Sequence, residues 1–245
     1  MAQRRGVLVT GGASGIGAAL ARAFAAQGDQ VLVADVNDAD GQAVADEIGG
    51  VFRHVDVADG DADRAAITEA AQRFGSLDVV CLNAGVSGGT GIGARFDPDL
   101  YRRAMAINLD GMVYGANAAV SVMRGQEAGG AIVFTSSLAG YGPAADLYYA
   151  TAKHALIGLM RSMAMMLAKD RIRLNAICPG FVDTPIIAPA RDALLQHGLA
   201  LLRPGEVAQV VLEIVAGGET GRAWEIQAGR PAEPIEFRKI DLSRT

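Results

Sequence analysis

Cysteine is scarce in this chain of 245 residues: only Cys81 and Cys178 occur. Two are too few for a disulfide framework or a cysteine-based zinc site. Both sit in apolar stretches and read as reduced, buried thiols, so the expected compartment is cytoplasmic. Histidine is equally sparse. His54, His154 and His197 show no metal-ligand spacing, and no metal is expected. Long apolar runs are missing too. The richest stretch, Leu156 to Leu167, is interrupted by Arg161, which leaves no membrane-spanning segment. Met1-Ala2-Gln3-Arg4-Arg5 leads directly into a strand-like run, without the apolar core or cleavage site of a signal peptide. Positive charge is not in excess: 22 Lys and Arg face 27 Asp and Glu, a net charge of −5. That balance argues against nucleic acid or an anionic membrane as a partner.

What is present is an ordinary apolar composition, 51% hydrophobic, with a generous 31 glycines. Short apolar runs alternate with longer segments of helical spacing. Gly6 to Thr10, Gln30 to Ala34, Val51 to Val55, Leu77 to Leu82, Ala131 to Thr135, Arg173 to Ile177 and Ala223 to Gln227 read as strands. Helices are expected at 16–27, 39–48, 61–74, 98–124, 148–169 and 205–216. Apolar strands separated by helices describe an α/β fold: a doubly wound parallel sheet of about seven strands covered on both faces. No repeat, linker or second core interrupts it, so residues 1–245 are read as one Rossmann-type dinucleotide-binding domain. From about Pro231 the chain mixes proline, charge and isolated apolar residues, either a docking tail or a frayed end.

Thr10-Gly11-Gly12-Ala13-Ser14-Gly15-Ile16-Gly17 joins the first strand to the first helix. Gly11 and Gly15 allow the sharp turn and a close backbone approach, and Gly17 allows tight helix–strand packing. The helix N–H groups then face an anion, and a pyrophosphate is the expected occupant. The spacing differs from the common G-x-G-x-x-G, so the turn alone is a weak signal. Asp35 strengthens it. This residue ends the second strand about 20 residues on, where a carboxylate accepts bonds from the adenosine ribose hydroxyls. The same carboxylate repels a 2′-phosphate, and no Lys or Arg directly follows it. NAD is therefore favoured over NADP.

Tyr149 and Lys153 stand four apart at the start of a predicted helix and share one face. A phenol titrates near ~10 unless perturbed, and a neighbouring ammonium favours its ionised form. The pair suits general acid/base work, although a lone Y-x-x-x-K is common on helices. In order along the chain come Thr10 to Gly17, Asp56-Val57, Asn83-Ala84-Gly85, Asn108, Ser136-Ser137, Tyr149 with Lys153, and Pro179-Gly180. With that set the chain resembles the short-chain dehydrogenases/reductases, from about residue 5 to residue 229.

The resemblance implies that Tyr149 is the acid/base and that Lys153 lowers its pKa and binds the nicotinamide ribose. It implies that Ser137 orients the substrate oxygen and that Asn108 holds a water linking Lys153 to solvent. Gly11, Ser14, Gly15, Ile16 and Gly17 would hold the pyrophosphate, with Asp56 and Val57 flanking the adenine. Asn83, Ala84 and Gly85 would support the cofactor side of the sheet, and Pro179, Gly180, Val182 and Thr184 would line the nicotinamide end. Two features depart from the family pattern. Leu82 stands where the family has Asn, and the catalytic serine is ambiguous. Spacing to Tyr149 fits Ser136; position before Leu138-Ala139-Gly140 fits Ser137. The two hydroxyls point to opposite faces of a strand, so one serves, and Ser137 is preferred.

Residues 184–204 correspond to the family's substrate loop and are apolar, which suits a lipophilic alcohol or ketone. Arg191 and Arg203 lie in that loop and read as solvated rather than as carboxylate partners. The stretch from Arg173 to Thr184 is similar to hydroxyprostaglandin dehydrogenases, hinting at a secondary alcohol. The implied activity is NAD-dependent oxidoreduction of a secondary alcohol or ketone. Alternatives are an NADPH-dependent ketone or 3-oxoacyl reductase and a non-catalytic dinucleotide sensor. A homotetramer or homodimer is implied by the resemblance alone.

Overall fold

Alternating side chains divide the apolar residues between two cores. In β1 (Gly6–Thr10), Val7 and Val9 enter one core and Leu8 the other, as the two-residue period of a strand requires. The same division runs through β2 (Gln30–Asp35), β4 (Val79–Leu82) and β5 (Gly130–Thr135). It continues in β6 (Ile172–Pro179). Cys81 falls in one core and Cys178 in the other, so the sheet separates the two free thiols. These facts come from a computed structural model that describes residues 4–238. Residues 1–3 and 239–245, including the far end of the expected tail, lie outside the described residues.

With β3 (Val51–His54), β7 (Ala223–Ile226) and β8 (Glu233–Pro234), the strands form one sheet in the order β3-β2-β1-β4-β5-β6-β7-β8. The first seven are parallel, and β8 pairs antiparallel with β7. Helices α1 (Gly15–Ala26), α2 (Asp38–Ile48) and α8 (Pro204–Gly217) cover one face. On the other lie α3 (Gly60–Phe74), α5 (Gly111–Met123) and α6 (Leu147–Met166). This is the doubly wound arrangement, with its direction reversal between β1 and β4, where such sheets open a crevice at their carboxyl ends.

Three details differ from the sequence expectation. An eighth strand is present, because the tail turns back along β7: the Ile235 N–H donates to the Ala223 carbonyl at 2.7 Å. The Phe237 ring lies under the Arg161 guanidinium, 4.2 Å from ring centroid to cation, so the described tail is docked. The helix expected over 98–124 is broken into α4 (Pro98–Met105), a π turn (Ala106–Asp110) and α5. Asn108, fully buried within that turn, bonds the Val86 peptide both ways. π turns of this kind concentrate at functional sites. The loop after β6 carries a short helix, α7 (Arg191–Gln196), and is anchored at both ends. Asp183 and Leu202 N–H groups donate to the Leu202 and Phe181 carbonyls at 2.9 and 2.8 Å.

Candidate active site

The turn between β1 and α1 packs so closely that side chains are excluded from it. Gly11 and Gly15 have φ of +64° and +51°, values that favour glycine. A Cβ on Gly17 would fall 2.0 Å from the Gly11 carbonyl oxygen. Asn83 knits this turn to the sheet: its N–H donates to Thr10 Oγ1 at 2.9 Å, and its Oδ1 accepts from Thr135 Oγ1 at 3.1 Å. Leu82, at the position where the sequence departs from the family pattern, instead fills space against Gly115 of α5. Its role is packing.

A cleft of about 550 Å³ opens above the turn at the carboxyl ends of the strands. Gly11, Ser14, Gly15 and Ile16 form its floor, and Ser14, at the N-cap of α1, spends no side-chain bond on capping. Thr184 closes over Gly15, where a Cβ would approach its methyl to 3.0 Å. At one end stand Asp35, Asp56 and Val57. Asp35 is held by two backbone donors, Ala13 N–H at 2.9 Å and Asn37 N–H at 2.9 Å, which fixes the carboxylate facing the cleft. Asn83, Ala84 and Gly85 line the middle. The N–H groups at the start of α1 and a fixed carboxylate fit a dinucleotide.

Tyr149 and Lys153 close the other end. Lys153 is buried, its Nζ donating to the Thr135 carbonyl at 2.7 Å and lying 5.2 Å from the Tyr149 ring centroid. Burial lowers Lys153 to about 8. Burial also pushes Tyr149 up to about 12, opposed by a hydrogen bond with Ser137. Desolvation is the largest influence on the phenol, and the Ser137 hydrogen bond opposes it. Ser136 is committed elsewhere. Its hydroxyl is buried and donates to the Lys153 carbonyl at 3.0 Å, leaving Ser137 as the hydroxyl that meets Tyr149.

Other residues singled out in the sequence lie apart from the cleft lining. Asn108 has its side-chain amide bonded to the Val86 peptide, at 2.8 Å in each direction, and props the Val86 loop. Val182 points into the core and bridges to Leu202. Pro179 is buried at the end of β6, and the Gly180 N–H donates to the Ile226 carbonyl at 2.9 Å. Arg191 pairs with Asp183 at 2.9 Å, and Arg203 bonds Glu206 at the start of α8. Both pairs are exposed. Tyr148 packs edge-on against Phe96 and Tyr101.

Sequence reasoning missed Arg103 and Ile107, which line the cleft one helical turn apart on the segment before Asn108. Their spacing of four was the available signal. Ser87, also in the lining, and Asp146, the side-chain cap of α6, were missed as well. An Asp two residues ahead of a helical pattern is a legible cap, but its other partners depend on the fold.

The family model for short chain dehydrogenases matches residues 5–194. The chain belongs to that family. It is accordingly an oxidoreductase whose cleft takes a nicotinamide dinucleotide. A short-chain dehydrogenase reductase of Arabidopsis thaliana is 36% identical over 90% of this chain and 80% of its own. A trans-4-hydroxycyclohexanecarboxylate dehydrogenase of Sinomonas cyclohexanicum is 38% identical over 74% of this chain and 73% of its own. A 3beta-hydroxysteroid dehydrogenase of Eggerthella lenta is 33% identical over 92% and 83%. Among solved structures, a 3-ketoacyl-(acyl-carrier-protein) reductase from Brucella melitensis, complexed with NADH, superposes on this short-chain dehydrogenase with a TM-score of 0.82. That pair is 26% identical and covers 92% of this chain and 98% of the other.

Proposed function

We propose that this short-chain dehydrogenase interconverts a lipophilic secondary alcohol and its ketone, with NAD as cofactor and Tyr149 as the acid/base. The observation that carries the reading is the convergence of Ser137, Tyr149 and buried Lys153 at one end of the cleft with Asp35 at the other. Gly11, Ser14, Gly15, Ile16 and Thr184 hold the dinucleotide, supported by Gly17, and Asp56 and Val57 flank its adenine. Bound NAD supplies the hydride acceptor, or NADH the donor. On oxidation, Tyr149 Oη takes the carbinol proton while Ser137 Oγ fixes the substrate oxygen; on reduction, the same phenol returns the proton. For oxidation the base is the tyrosinate, which the Lys153 ammonium 5.2 Å from its ring favours; the proton it takes up passes on to solvent.

Support for NAD comes from the carboxylate of Asp35, which disfavours a second phosphate at the ribose. Support for the substrate class comes from the apolar side chains exposed around the loop after β6, among them Phe181, Ile186 and Leu199. Two of the relatives are, by their names, dehydrogenases of a hydroxycyclohexanecarboxylate and a 3beta-hydroxysteroid. Self-association into a dimer or tetramer belongs to the same reading, supported by exposed Tyr114 on α5 and Met165 and Met166 on α6. Cytoplasmic residence is supported by the two separated free thiols. The test is NADH formation with a panel of secondary alcohols that includes cyclohexanol and a 3β-hydroxysteroid, run with NAD and NADP in parallel. Turnover with NAD on the apolar alcohols is expected. Turnover confined to NADP, or to none of the panel, would contradict it.

A further inference from the structure

We infer that Asp146 is a positioning residue for this reaction: its carboxylate clamps the loop after β4 onto the first turn of the helix that carries Tyr149. The inference rests on the proposed role of Tyr149. As the N-cap of α6, Asp146 accepts from the Tyr149 N–H through Oδ1 at 3.2 Å. The same oxygen lies 3.1 Å from the Gly88 N–H, and Oδ2 accepts from that N–H at 2.9 Å and from Ser87 Oγ at 2.6 Å. One carboxylate therefore meets three donors, two of them on a loop 58 and 59 residues away in sequence.

The clamp is reinforced along the helix. The Leu147 N–H donates to the Gly89 carbonyl at 3.2 Å, and the Tyr148 hydroxyl to the Gly91 carbonyl at 2.8 Å. Contact is so close that a Cβ on Gly88 would fall 2.5 Å from the Tyr149 nitrogen. Ser87 and Tyr149 both face the cleft, so this stitching fixes the distance between the two walls where substrate must enter. A neutral N-cap would satisfy the helix equally well. What distinguishes Asp is a second acceptor oxygen for Ser87 and Gly88, and a negative charge on the helix turn that carries the phenol.

That charge raises the Tyr149 pKa, in the same direction as burial. Around the phenol stand Lys153 on α6, the Ser137 hydroxyl after β5 and the Cys178 thiol on β6, with Arg103 of α4 in the same cleft lining. Asp146 is the carboxylate among the causes that act on this phenol. The structure thus gives one side chain two effects on the site: it holds Ser87 in place and favours the protonated phenol.

The experiment reads both effects in the full chain. Tyrosinate absorbance is measured at alkaline pH within the range where circular dichroism shows the fold intact. Each protein is subtracted against its Tyr149→Phe counterpart. Asp146→Asn keeps the helix cap and removes the charge; its Tyr149 ionisation constant should rise about threefold to tenfold. Asp146→Ala should speed amide exchange at residues 87–91 relative to the wild type, with Asp146→Asn between them. An unchanged tyrosinate fraction in Asp146→Asn overturns the proposal, and so does unchanged exchange at 87–91 in the variants. Full turnover by Tyr149→Phe would instead sink the catalytic role of Tyr149, leaving both of these measurements standing.

Discussion

Replacing Asp63 with Asn should stabilise the protein, and should do so more strongly at higher pH. Asp63 lies near the start of α3, is 1% exposed, and has one carboxyl oxygen with no hydrogen-bond partner. That oxygen faces Gly115 of α5, where a Cβ would stand 3.6 Å away. Burial, with Asp56 and Asp59 adding repulsion, raises the carboxyl from 3.8 to about 7. The folded protein therefore keeps a proton that the unfolded chain releases between those values. Stability falls as pH rises through that window and levels off above pH 7. At about 1.4 kcal/mol per tenfold change, the strain above pH 7 is at most about 4 kcal/mol. The amide of Asn removes the titration but leaves a buried polar group imperfectly paired, which costs about 1–3 kcal/mol. A net gain of about 2 kcal/mol at alkaline pH is expected, shrinking towards zero or below as acid protonates the wild-type carboxyl. Urea unfolding of both proteins on either side of the window measures it. A gain independent of pH, or a loss that grows with pH, would refute the reasoning.

Other substitutions probe the cleft. Asp35→Ala should weaken NAD binding and relax discrimination against NADP, read as the ratio of the two kcat/KM values; an unchanged ratio would remove Asp35 from its role. Gly17→Ala should cost at least 1–3 kcal/mol of stability as overpacking does, because its methyl meets the Gly11 carbonyl, and thermal unfolding checks it. Ser137→Ala should lower kcat far more than Ser136→Ala lowers it, since Ser136 bonds the Lys153 carbonyl while Ser137 bonds the phenol. Equal losses in kcat would undo that assignment.

Much of this architecture is legible in the sequence because buried parallel strands write themselves as uninterrupted apolar runs. β1 is read to the residue, and β2 extends only to Asp35, the position already singled out. β8 escapes because Glu233 and Pro234 carry no strand pattern; their pairing comes from Ile235 and Phe237 finding the core. The π turn at Ala106–Asp110 escapes because it depends on Asn108 reaching Val86, a contact made through the fold. The site shows the same division. Glycine spacing, Asp35 and the Tyr149–Lys153 pair are local patterns. The burial of Tyr149, its bond with Ser137 and the loop clamp of Asp146 all join distant sequence, so none could be read from spacing.

In the proposed mechanism Tyr149 moves the proton, while the glycine turn and Asp35 hold the dinucleotide independently of it. The most direct test of that mechanism sets two measurements on Tyr149→Phe side by side: NADH formation with an alcohol the wild type oxidises, and the Kd for NADH by fluorescence. Turnover should fall at least about a hundredfold, as general acid–base catalysis contributes, with the Kd within about threefold of wild type. Turnover near the wild-type rate with that Kd unchanged would contradict it.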